Sequence, residues 1–308
     1  MATNRPLLIV NPRSGGGLSE AQWARLAGPI AQGLGAFDTV HTERPGHARG
    51  IARQAATQGR RLVVAVGGDG TLNEVVNGLM DAGAPRTTEL ALLPRGTGGD
   101  FRRTIDLPAD LAKASAYLAK APGRPIDVGL VHFTDHQGAT ASRHFINVSS
   151  FGFSAAVANK ANESNKKLGA RAAFLGATLR TVIGYDNLDV QIAVDGAAPV
   201  RRTVLLGAVG NGRYFGGGMK ICPEATLDSG RLNLVVVGDL GLGSIATKIH
   251  RLYAGTHLSI KRIEGRNAQR VHVASATERN APVEVDGETP GTLPATWEII
   301  PGALLMRL

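Results

Sequence analysis

The chain has 308 residues and a single cysteine, which excludes both an intrachain disulfide and a zinc site built from four cysteines. Lysine and arginine number 34 against 25 aspartate and glutamate, and the net charge of +9 favours anionic partners such as nucleotides, nucleic acid or an acidic bilayer face. Aromatic residues make up only 5%, which argues against base stacking, so no nucleic-acid partner is expected.

The length and the hydropathy of the chain indicate its class. A chain of this length exceeds the usual single domain, which predicts two domains that each bury a core. No apolar stretch approaches the about 20 residues of a membrane-spanning helix, and the residues before Leu7 lack the apolar core of a signal peptide. We therefore expect a cytoplasmic protein, for which attachment to a membrane surface stays open.

The part of the chain up to about Leu118 alternates short apolar runs with longer segments of helical composition. This alternation is typical of βα units and predicts an N-terminal open parallel α/β domain over residues 1–124. The predicted strands are Leu7–Val10, Phe37–Thr42, Leu62–Val66 and Leu90–Leu93. The predicted helices are Ala21–Leu34, His47–Gln58 and Leu72–Ala82.

After a turn-rich linker at Pro122–Pro125, apolar runs with strand character dominate and glycines are frequent. Asp195-Gly196 is a hairpin signal between two of the runs, and Lys166–Val182 is the main stretch with helical spacing. We predict a mainly antiparallel, β-sandwich-like domain over residues 125–294. The predicted strands are Ile126–Phe133, Phe145–Ser149, Leu188–Val194, Val204–Val209, Leu232–Val237, Val271–Ala274 and Val283–Asp286.

A buried strand that runs into Gly67-Gly68-Asp69-Gly70-Thr71 is the strongest functional signal. Glycines expose backbone N–H groups to phosphate oxygens, and a helix that starts near Leu72 would add its positive end. The alternative is a tight turn with Thr71 as the helix N-cap. Asp69 favours the functional interpretation, because a carboxylate beside a phosphate site suggests Mg²⁺ binding or general-base work.

Two further glycine clusters follow neighbouring strands, at Asn11–Gly17 and at Arg95–Gly99. The carboxyl ends of parallel strands face one crevice, so we expect all three clusters to line it together. A Walker A loop is excluded because no lysine follows Gly17 or Gly70. A dinucleotide fingerprint is excluded because Glu20 stands where its last glycine belongs.

The run from Gly67 to Gly78 resembles the nucleotide signature of the diacylglycerol, sphingosine and ceramide kinase catalytic-domain family, especially the bacterial lipid kinases. The resemblance covers nearly the whole chain. The other segments that appear in family order are Asn11-Pro12, Gly96-Thr97 with Asp100-Phe101, Asn211–Gly218, Pro223–Gly230 and Val285–Glu288.

The resemblance implies a nucleotide-binding α/β domain, completed by residues 295–308, a β-rich lipid-binding domain, and an active site in the cleft between them. It implies ATP and Mg²⁺ as cofactors. It matches Asp286 and Glu288 to the acidic pair of the catalytic centre. Asp69, whose charge suggests Mg²⁺ binding or general-base catalysis, is the third catalytic candidate and the expected ligand of the catalytic Mg²⁺. The nucleotide-contacting positions that the resemblance implies are Asn11, Pro12, Arg13, Thr42, Gly67, Gly68, Asp69, Gly70, Thr71, Leu72, Asn73, Gly96, Thr97 and Asp100.

General chemistry also supports a catalytic role for the acidic pair, independently of the resemblance. A carboxylate near the γ-phosphate can accept the proton of an attacking lipid hydroxyl while Mg²⁺ offsets the phosphate charge. The alternative for Asp286-Gly287 is an ordinary hairpin turn.

The sequence departs from the family pattern at three positions. Gly99 replaces the usual asparagine before Asp100, and Gly16 replaces a lysine after Asn-Pro, which leaves Arg13 to offset phosphate charge. Ser229 replaces an aspartate that holds a structural metal in bacterial relatives. This replacement argues against the metal site, to which Thr226 and Arg231 would contribute only backbone carbonyls.

We expect transfer of the γ-phosphoryl of ATP to a hydroxyl of a membrane lipid. Diacylglycerol is the preferred candidate for the acceptor, and ceramide or a sphingoid base is the main alternative. More distant alternatives are a soluble-substrate kinase of the NAD-kinase type and a decayed regulator that binds a nucleotide or lipid. The Lys166–Val182 helix either touches the membrane through its cations or packs on the β domain, and packing is preferred. Transient contact with the inner face of the membrane is expected, and a homodimer stays open.

Overall fold

The computed structural model describes residues 5–83, 86–96, 98–163, 185–277 and 281–308. Thr97 and the predicted helix Lys166–Val182 lie outside these ranges. The chain divides into two compact units, one of Met1–Asp127 with Gly302–Leu308 and one of Val128–Pro301. No described helix has the length and the apolar character that crossing a membrane requires.

The first unit is built on a parallel sheet. Its strands lie in the order β2–β1–β3–β4–β14, and all neighbours in this order are parallel. The apolar runs of β1, β3 and β4 are buried, as expected where helices cover both faces. The predicted open parallel α/β fold is confirmed. The strands are β1 (Leu7–Val10), β2 (Asp38–His41), β3 (Leu62–Gly67), β4 (Glu89–Pro94) and the end of β14 (Glu288–Arg307).

Five helices of the first unit are described, and four of them pack in pairs, α1 on α5 and α2 on α3. A Cβ at Gly33 would lie 2.6 Å from the backbone of Ser115, and one at Gly78 would lie 2.2 Å from the backbone of Arg49. Both glycines thus permit close helix packing. The sequence analysis named neither α4 nor α5. The helices are α1 (Glu20–Leu34), α2 (His47–Thr57), α3 (Asp69–Asp81), α4 (Asp100–Thr104) and α5 (Leu111–Lys120).

Helix α3 begins at Asp69, three residues before the predicted start at Leu72. Gly68 is the N-cap and has an extended backbone, with φ −95° and ψ −171°. The turn therefore consists of Gly67 and Gly68, and Gly70 belongs to the first turn of the helix. This correction matters for the site because it moves Asp69 into the helix.

The second unit is built from antiparallel strand pairs. Six of its strands form a closed circuit of pairings, β9–β8–β12–β14–β13–β7 and back to β9. Strands β9 and β14 each pair with different neighbours at their two ends, which is how one strand serves two sheets. The predicted β-sandwich-like fold is confirmed. The strands are β5 (Gly123–Asp135), β6 (Thr140–Phe145), β7 (Val148–Gly152), β8 (Leu188–Val194), β9 (Val200–Gly210), β10 (Leu232–Gly238), β11 (Ile263–Ala268), β12 (Arg270–Ser275), β13 (Pro282–Val285) and β14.

Two apolar clusters stabilise this unit. The larger contains Phe151 and the fully buried Trp297, whose ring centroids lie 5.7 Å apart. The smaller contains Val235, Cys222 and side chains of α6 (Phe153–Glu163) and of α7 (Leu242–Ala254).

Two predicted boundaries are wrong. The segment Pro122–Pro125 is no linker, because β5 already begins at Gly123. The predicted strand Phe145–Ser149 is split, since β6 ends at Phe145 and β7 begins at Val148. Between them, the backbone N–H groups of Ile146 and Asn147 donate to a side chain and not to a neighbouring strand. The predicted hairpin at Asp195-Gly196 is confirmed, with φ of 53° and 78° as a type I′ turn requires.

The second unit contains a buried titratable side chain, that of His257. Its side chain is fully buried, and Nε2 lies 3.0 Å from the carbonyl oxygen of Ile221. Burial lowers the pKa of His257, because a charged imidazolium would lose its hydration.

Acidification should therefore destabilise the protein through His257. The unfolded chain takes up this proton near its ordinary pKa of about 6.5, so the stabilisation is present above that pH and is lost as the pH falls through the lowered folded pKa. We expect the free energy of unfolding, measured by urea titration, to decrease less in His257→Gln than in the wild type as the pH is lowered. His250→Gln, on exposed helix surface, should keep the wild-type slope.

Candidate functional site

Three glycine-rich loops of the first unit meet at the carboxyl ends of β1, β3 and β4. We call them loop A (Asn11–Gly17), loop B (Gly67–Gly70) and loop C (Arg95–Gly99). Asn11 in loop A donates from Nδ2 to Oγ1 of Thr71, at 3.0 Å, just after loop B. A Cβ at Gly96 in loop C would lie 2.6 Å from Cα of Gly68 in loop B. Loops B and C therefore touch backbone to backbone, as only glycines allow.

Arg95 joins loop C to both other loops. Its backbone N–H donates to the carbonyl of Gly67 at 2.7 Å, and its guanidinium donates to the carbonyl of Gly17. Its Nε is buried without a hydrogen-bond partner among the described residues. Arg13 was the residue predicted to offset phosphate charge, but its side chain is exposed. Arg95 was missed because local sequence does not show that loops A and C touch.

The N-terminus of α3 is open towards these loops. No side chain from the described part of the chain caps it, because its N-cap is Gly68. The first N–H groups of a helix lack partners within the helix, and here they follow two glycines. This is the arrangement that binds phosphate oxygens.

Asp69 has a structural role that the sequence analysis did not consider. Its carboxylate accepts the backbone N–H groups of Asp100 at 3.1 Å and of Phe101 at 3.2 Å. These are the first residues of α4, so Asp69 caps that helix and fixes the end of loop C. Asp100 is buried and accepts a hydrogen bond from Arg103 at 3.0 Å.

Backbone angles explain two of the departures from the family pattern. Gly99 has φ +61° and is the N-cap of α4. Glycine and asparagine are the residues that most readily adopt this left-handed conformation, so glycine can replace asparagine here. Gly16 has φ +86°, a conformation in which a lysine would be strained.

The other candidates for nucleotide contact occupy different environments. Thr42 donates its backbone N–H to the carbonyl of Val10 at 2.8 Å and is half-buried, as is Pro12. Leu72 and Asn73 are buried, and the amide of Asn77 donates to the carbonyl oxygen of Asn73 at 2.9 Å. The backbone N–H of Leu72 donates to the carbonyl of Gly68 at 3.1 Å, so it belongs to the hydrogen bonding of the helix.

In the second unit, Asp286 occupies the hairpin turn between β13 and β14 with φ +46°. Its carboxylate accepts three consecutive backbone N–H groups, from Ile146 at 2.9 Å and from Asn147 and Val148 at 3.1 Å each. The hairpin alternative is thus confirmed as local geometry, and the carboxylate is also held in one orientation.

Glu288, the other half of the expected acidic pair, has a different environment. Its side chain is 54% exposed and accepts from Arg143 at 2.6 Å. The two acids therefore differ in environment, and Asp286 is the one that the structure immobilises.

The Asn211–Gly218 segment binds the backbone of Ile146 and Asn147, whose N–H groups donate to Asp286. Asn211 donates from Nδ2 to the carbonyl of Ile146 at 2.9 Å, and the backbone N–H groups of Asn211 and Gly212 donate to the carbonyl of Asn147. A Cβ at Gly212 would lie 2.1 Å from Oδ1 of Asn147. The sequence analysis did not assign any role to Ile146–Val148, whose partners are distant along the chain.

The candidate structural metal site does not fit a metal ion. The hydroxyl of Ser229 lies 3.3 Å from the carbonyl oxygen of Thr226 and 3.1 Å from that of Arg231. The hydroxyl of Ser229 thus lies within hydrogen-bond distance of both carbonyls that were candidate ligands, and its single proton can be donated to either. Among the described residues, no three histidine, cysteine, aspartate or glutamate side chains are grouped as metal ligands.

Comparison with known proteins agrees with both halves of the fold. Residues 5–131 match the diacylglycerol kinase catalytic domain, and residues 147–307 match the YegS C-terminal NAD kinase beta sandwich-like domain. The second match spans more than half of the chain, so the chain belongs to the family with the YegS C-terminal NAD kinase beta sandwich-like domain, here joined to a diacylglycerol kinase catalytic domain. It is therefore an ATP-dependent kinase, as the resemblance implied.

The relatives of this kinase are similar over nearly their full length. A diacylglycerol kinase of Staphylococcus carnosus (strain TM300) is 27% identical over 293 residues, which cover 95% of this chain and 91% of the relative. A diacylglycerol kinase structure from Bacillus anthracis str. Sterne is 25% identical, with a TM-score of 0.73 and coverage of 99% and 96% of the two chains. Yeast NADH kinase complexed with NADH shares the fold alone, at 10% identity and a TM-score of 0.50, with coverage of 98% and 82%.

The contact between loops B and C can be tested with Gly96→Ala. The added methyl group would lie 2.6 Å from Cα of Gly68, so the loops must separate. We expect a loss of about 1–3 kcal/mol of stability, the usual cost of overpacking, and weaker ATP binding measured with a fluorescent analogue. Gly50→Ala, where no atom lies within 4 Å of the added Cβ, should bind ATP normally. Wild-type ATP affinity in Gly96→Ala would contradict the loop arrangement.

The Ser229 loop gives a second test. Without nucleotide, the thermal midpoint of the wild type should be the same in EDTA and in Mg²⁺, because the hydroxyl already lies within hydrogen-bond distance of both carbonyls. Ser229→Asp adds a carboxylate beside them and should make the midpoint rise with Mg²⁺. Ser229→Ala serves as the control and should show no such rise. A wild type that melts earlier in EDTA would overturn this interpretation.

Proposed function

We propose that this kinase transfers the γ-phosphoryl group of ATP to the hydroxyl of diacylglycerol and so forms phosphatidic acid. The observation that carries the proposal is the meeting of loops A, B and C at the open N-terminus of α3. Phosphoryl transfer depends mainly on positioning and charge stabilisation, and this arrangement supplies both for a nucleotide.

The donor half of the reaction rests on the first unit. The N–H groups of the glycine loops and of the α3 N-terminus would bind phosphate oxygens, and Arg95 would offset part of their charge. Because Leu72 and Asn73 are buried, their contribution is to orient the helix.

Two carboxylates fit a magnesium ion next to loop C. A Cβ at Gly98 would lie 3.2 Å from Oδ2 of Asp69 and 3.9 Å from Oδ2 of Asp100, so both oxygens border the space that glycine leaves free. Mg²⁺ is commonly bound by one or two carboxylates together with substrate phosphates. When bound, it would offset the phosphate charge, and Asp69 and Asp100 would hold it.

Asp286 supports the acceptor half of the reaction. Three N–H groups fix its carboxylate, and we assign it the role of the base that accepts the proton of the lipid hydroxyl. Glu288 is exposed and paired with Arg143, so we assign it no proton transfer. The location of the active site in an interdomain cleft stays a prediction, as does the homodimer.

The substrate is tested with a lipid panel. Purified protein, labelled ATP and Mg²⁺ are incubated with diacylglycerol, monoacylglycerol, ceramide or sphingosine in mixed micelles, and with NAD in a separate arm. We expect phosphatidic acid as the main product. If ceramide or sphingosine is preferred, that lipid and not diacylglycerol is the acceptor. Product from NAD alone would indicate a soluble-substrate kinase. No product in any arm would indicate a regulator.

Asp286→Asn tests the base. Asparagine cannot take up the proton, so we expect kcat to fall by roughly 10²- to 10⁴-fold with little change in the KM for ATP. Asp195→Asn is the matched control, because Asp195 also occupies a left-handed hairpin position and its carboxylate accepts the N–H groups of Gln269 and Arg270 at 2.8 Å. Equal kcat in the two variants would mean that Asp286 only holds the backbone.

The lipid substrate also places the protein at a membrane. We propose transient contact with the inner face of the membrane, supported by the net charge of +9, which anionic lipids attract. Co-sedimentation with vesicles should increase with the fraction of anionic lipid and decrease with salt. The Lys166–Val182 segment, our earlier candidate for this contact, lies outside the described residues.

A further inference from the structure

Glu284 is a buried carboxylate that the proposed reaction does not use. It lies in β13 between Val283 and Val285, which are fully buried, and it is itself only 5% exposed. Burying a carboxylate is costly unless hydrogen bonds compensate for the lost hydration. The hydrogen-bond partners of the Glu284 carboxylate therefore indicate its role.

The side chain of Glu284 reaches over the turn that follows it. Its Oε1 accepts the backbone N–H of Gly287, the residue directly after Asp286. Its Oε2 accepts the hydroxyl of Ser150 at 2.6 Å, and Ser150 lies 2.9 Å from the hydroxyl of Ser154. The carboxylate thus joins the Asp286-Gly287 turn to β7 and to the start of α6.

The backbone of Glu284 is anchored as well. Its carbonyl accepts the hydroxyl of Ser149 at 2.6 Å, and that hydroxyl accepts Nε1–H of Trp297 at 2.8 Å. Ser149 and Trp297 are fully buried. The residue that holds the turn is therefore itself fixed to the centre of the larger apolar cluster.

The turn needs such support because both of its central residues are left-handed, Asp286 at φ +46° and Gly287 at φ +94°. For a residue with a side chain, this conformation is strained unless its surroundings enforce it. The Asp286 carboxylate binds the turn to Ile146–Val148 at one end. The Glu284 carboxylate binds the N–H of Gly287 at the other end.

We propose that Glu284 is a positioning residue for Asp286. By holding the N–H of Gly287, it fixes the turn and hence the orientation of the Asp286 carboxylate. This inference rests on the proposed role of Asp286 as the base, and it adds a residue that acts through the turn and touches neither ATP nor lipid.

Three variants separate hydrogen bonding from charge. Glu284→Ala removes the acceptor, and Glu284→Asp keeps the charge on a side chain too short to reach Gly287. Glu284→Gln keeps a carbonyl oxygen for Gly287 and can donate its amide to Ser150. We expect kcat to fall roughly 10- to 100-fold in the first two, the cost of a small misplacement, with the KM for ATP unchanged, and Glu284→Gln to retain most of the activity.

A readout that does not depend on activity accompanies the kinetics. Amide hydrogen exchange at Gly287 should be faster in Glu284→Ala and Glu284→Asp than in the wild type and in Glu284→Gln. Glu264→Ala is the matched control, because Glu264 is a strand glutamate of the same unit with a 70% exposed side chain. It should change neither the exchange at Gly287 nor kcat.

The possible outcomes are distinct. Unchanged exchange at Gly287 or unchanged kcat in the variants that lose the contact would overturn the proposal, and so would an activity loss in Glu284→Gln as large as that in Glu284→Asp. If Glu284→Ala does not fold, the comparison of Glu284→Asp with Glu284→Gln decides. If the wild type phosphorylates no lipid, the proposed function fails, while the exchange at Gly287 still shows whether Glu284 holds the turn.

Discussion

Carboxylates that accept backbone N–H groups fix the candidate functional segments within each of the two units. Asp69 binds the first amides of α4, and Asp286 binds three amides between β6 and β7. The same interaction recurs where Glu74 binds the amides of Gly46 and Ala48 at the start of α2. In each case a side chain from one segment fixes the backbone of another that is distant along the chain.

This interaction answers a problem that glycine loops create. A loop that exposes its backbone to phosphate has few side chains to pack, so its conformation must be imposed from outside. Loop C is held by Asp69 at its far end and by its glycine contact with loop B at its near end. Each of these acids therefore supports a backbone segment in addition to the chemical role proposed for it. A single substitution would remove both, which is why matched controls at similar turns are needed.

Local sequence predicted the elements far better than the contacts between them. Strands β1 and β8 have the predicted bounds, because β1 is a continuous apolar run and β8 is an alternating one that ends at a turn. The three glycine loops were also predicted, since their crevice follows from parallel strand order. The split between β6 and β7 could not be predicted, because it depends on Asp286, about 140 residues later in the chain.

The same reason explains the site residues that were missed or interpreted differently. Arg95 was visible in its motif, but its bond to Gly17 needs the fold. Asp69 was interpreted through charge alone, and its partners at Asp100 and Phe101 provide a second explanation. Ser229 was recognised as a departure, yet only the folded loop shows that its hydroxyl lies within hydrogen-bond distance of both carbonyls.

The path of β14 has a consequence for biosynthesis. Leu305 and Met306 complete the parallel sheet by pairing with Glu89 and Leu90 at the edge of β4. A ribosome makes the whole second unit before it makes these residues, so the β4 edge stays unpaired during most of translation. An unpaired edge of a hydrophobic strand invites association with other chains. The nascent protein is therefore most exposed to aggregation in the half that was made first.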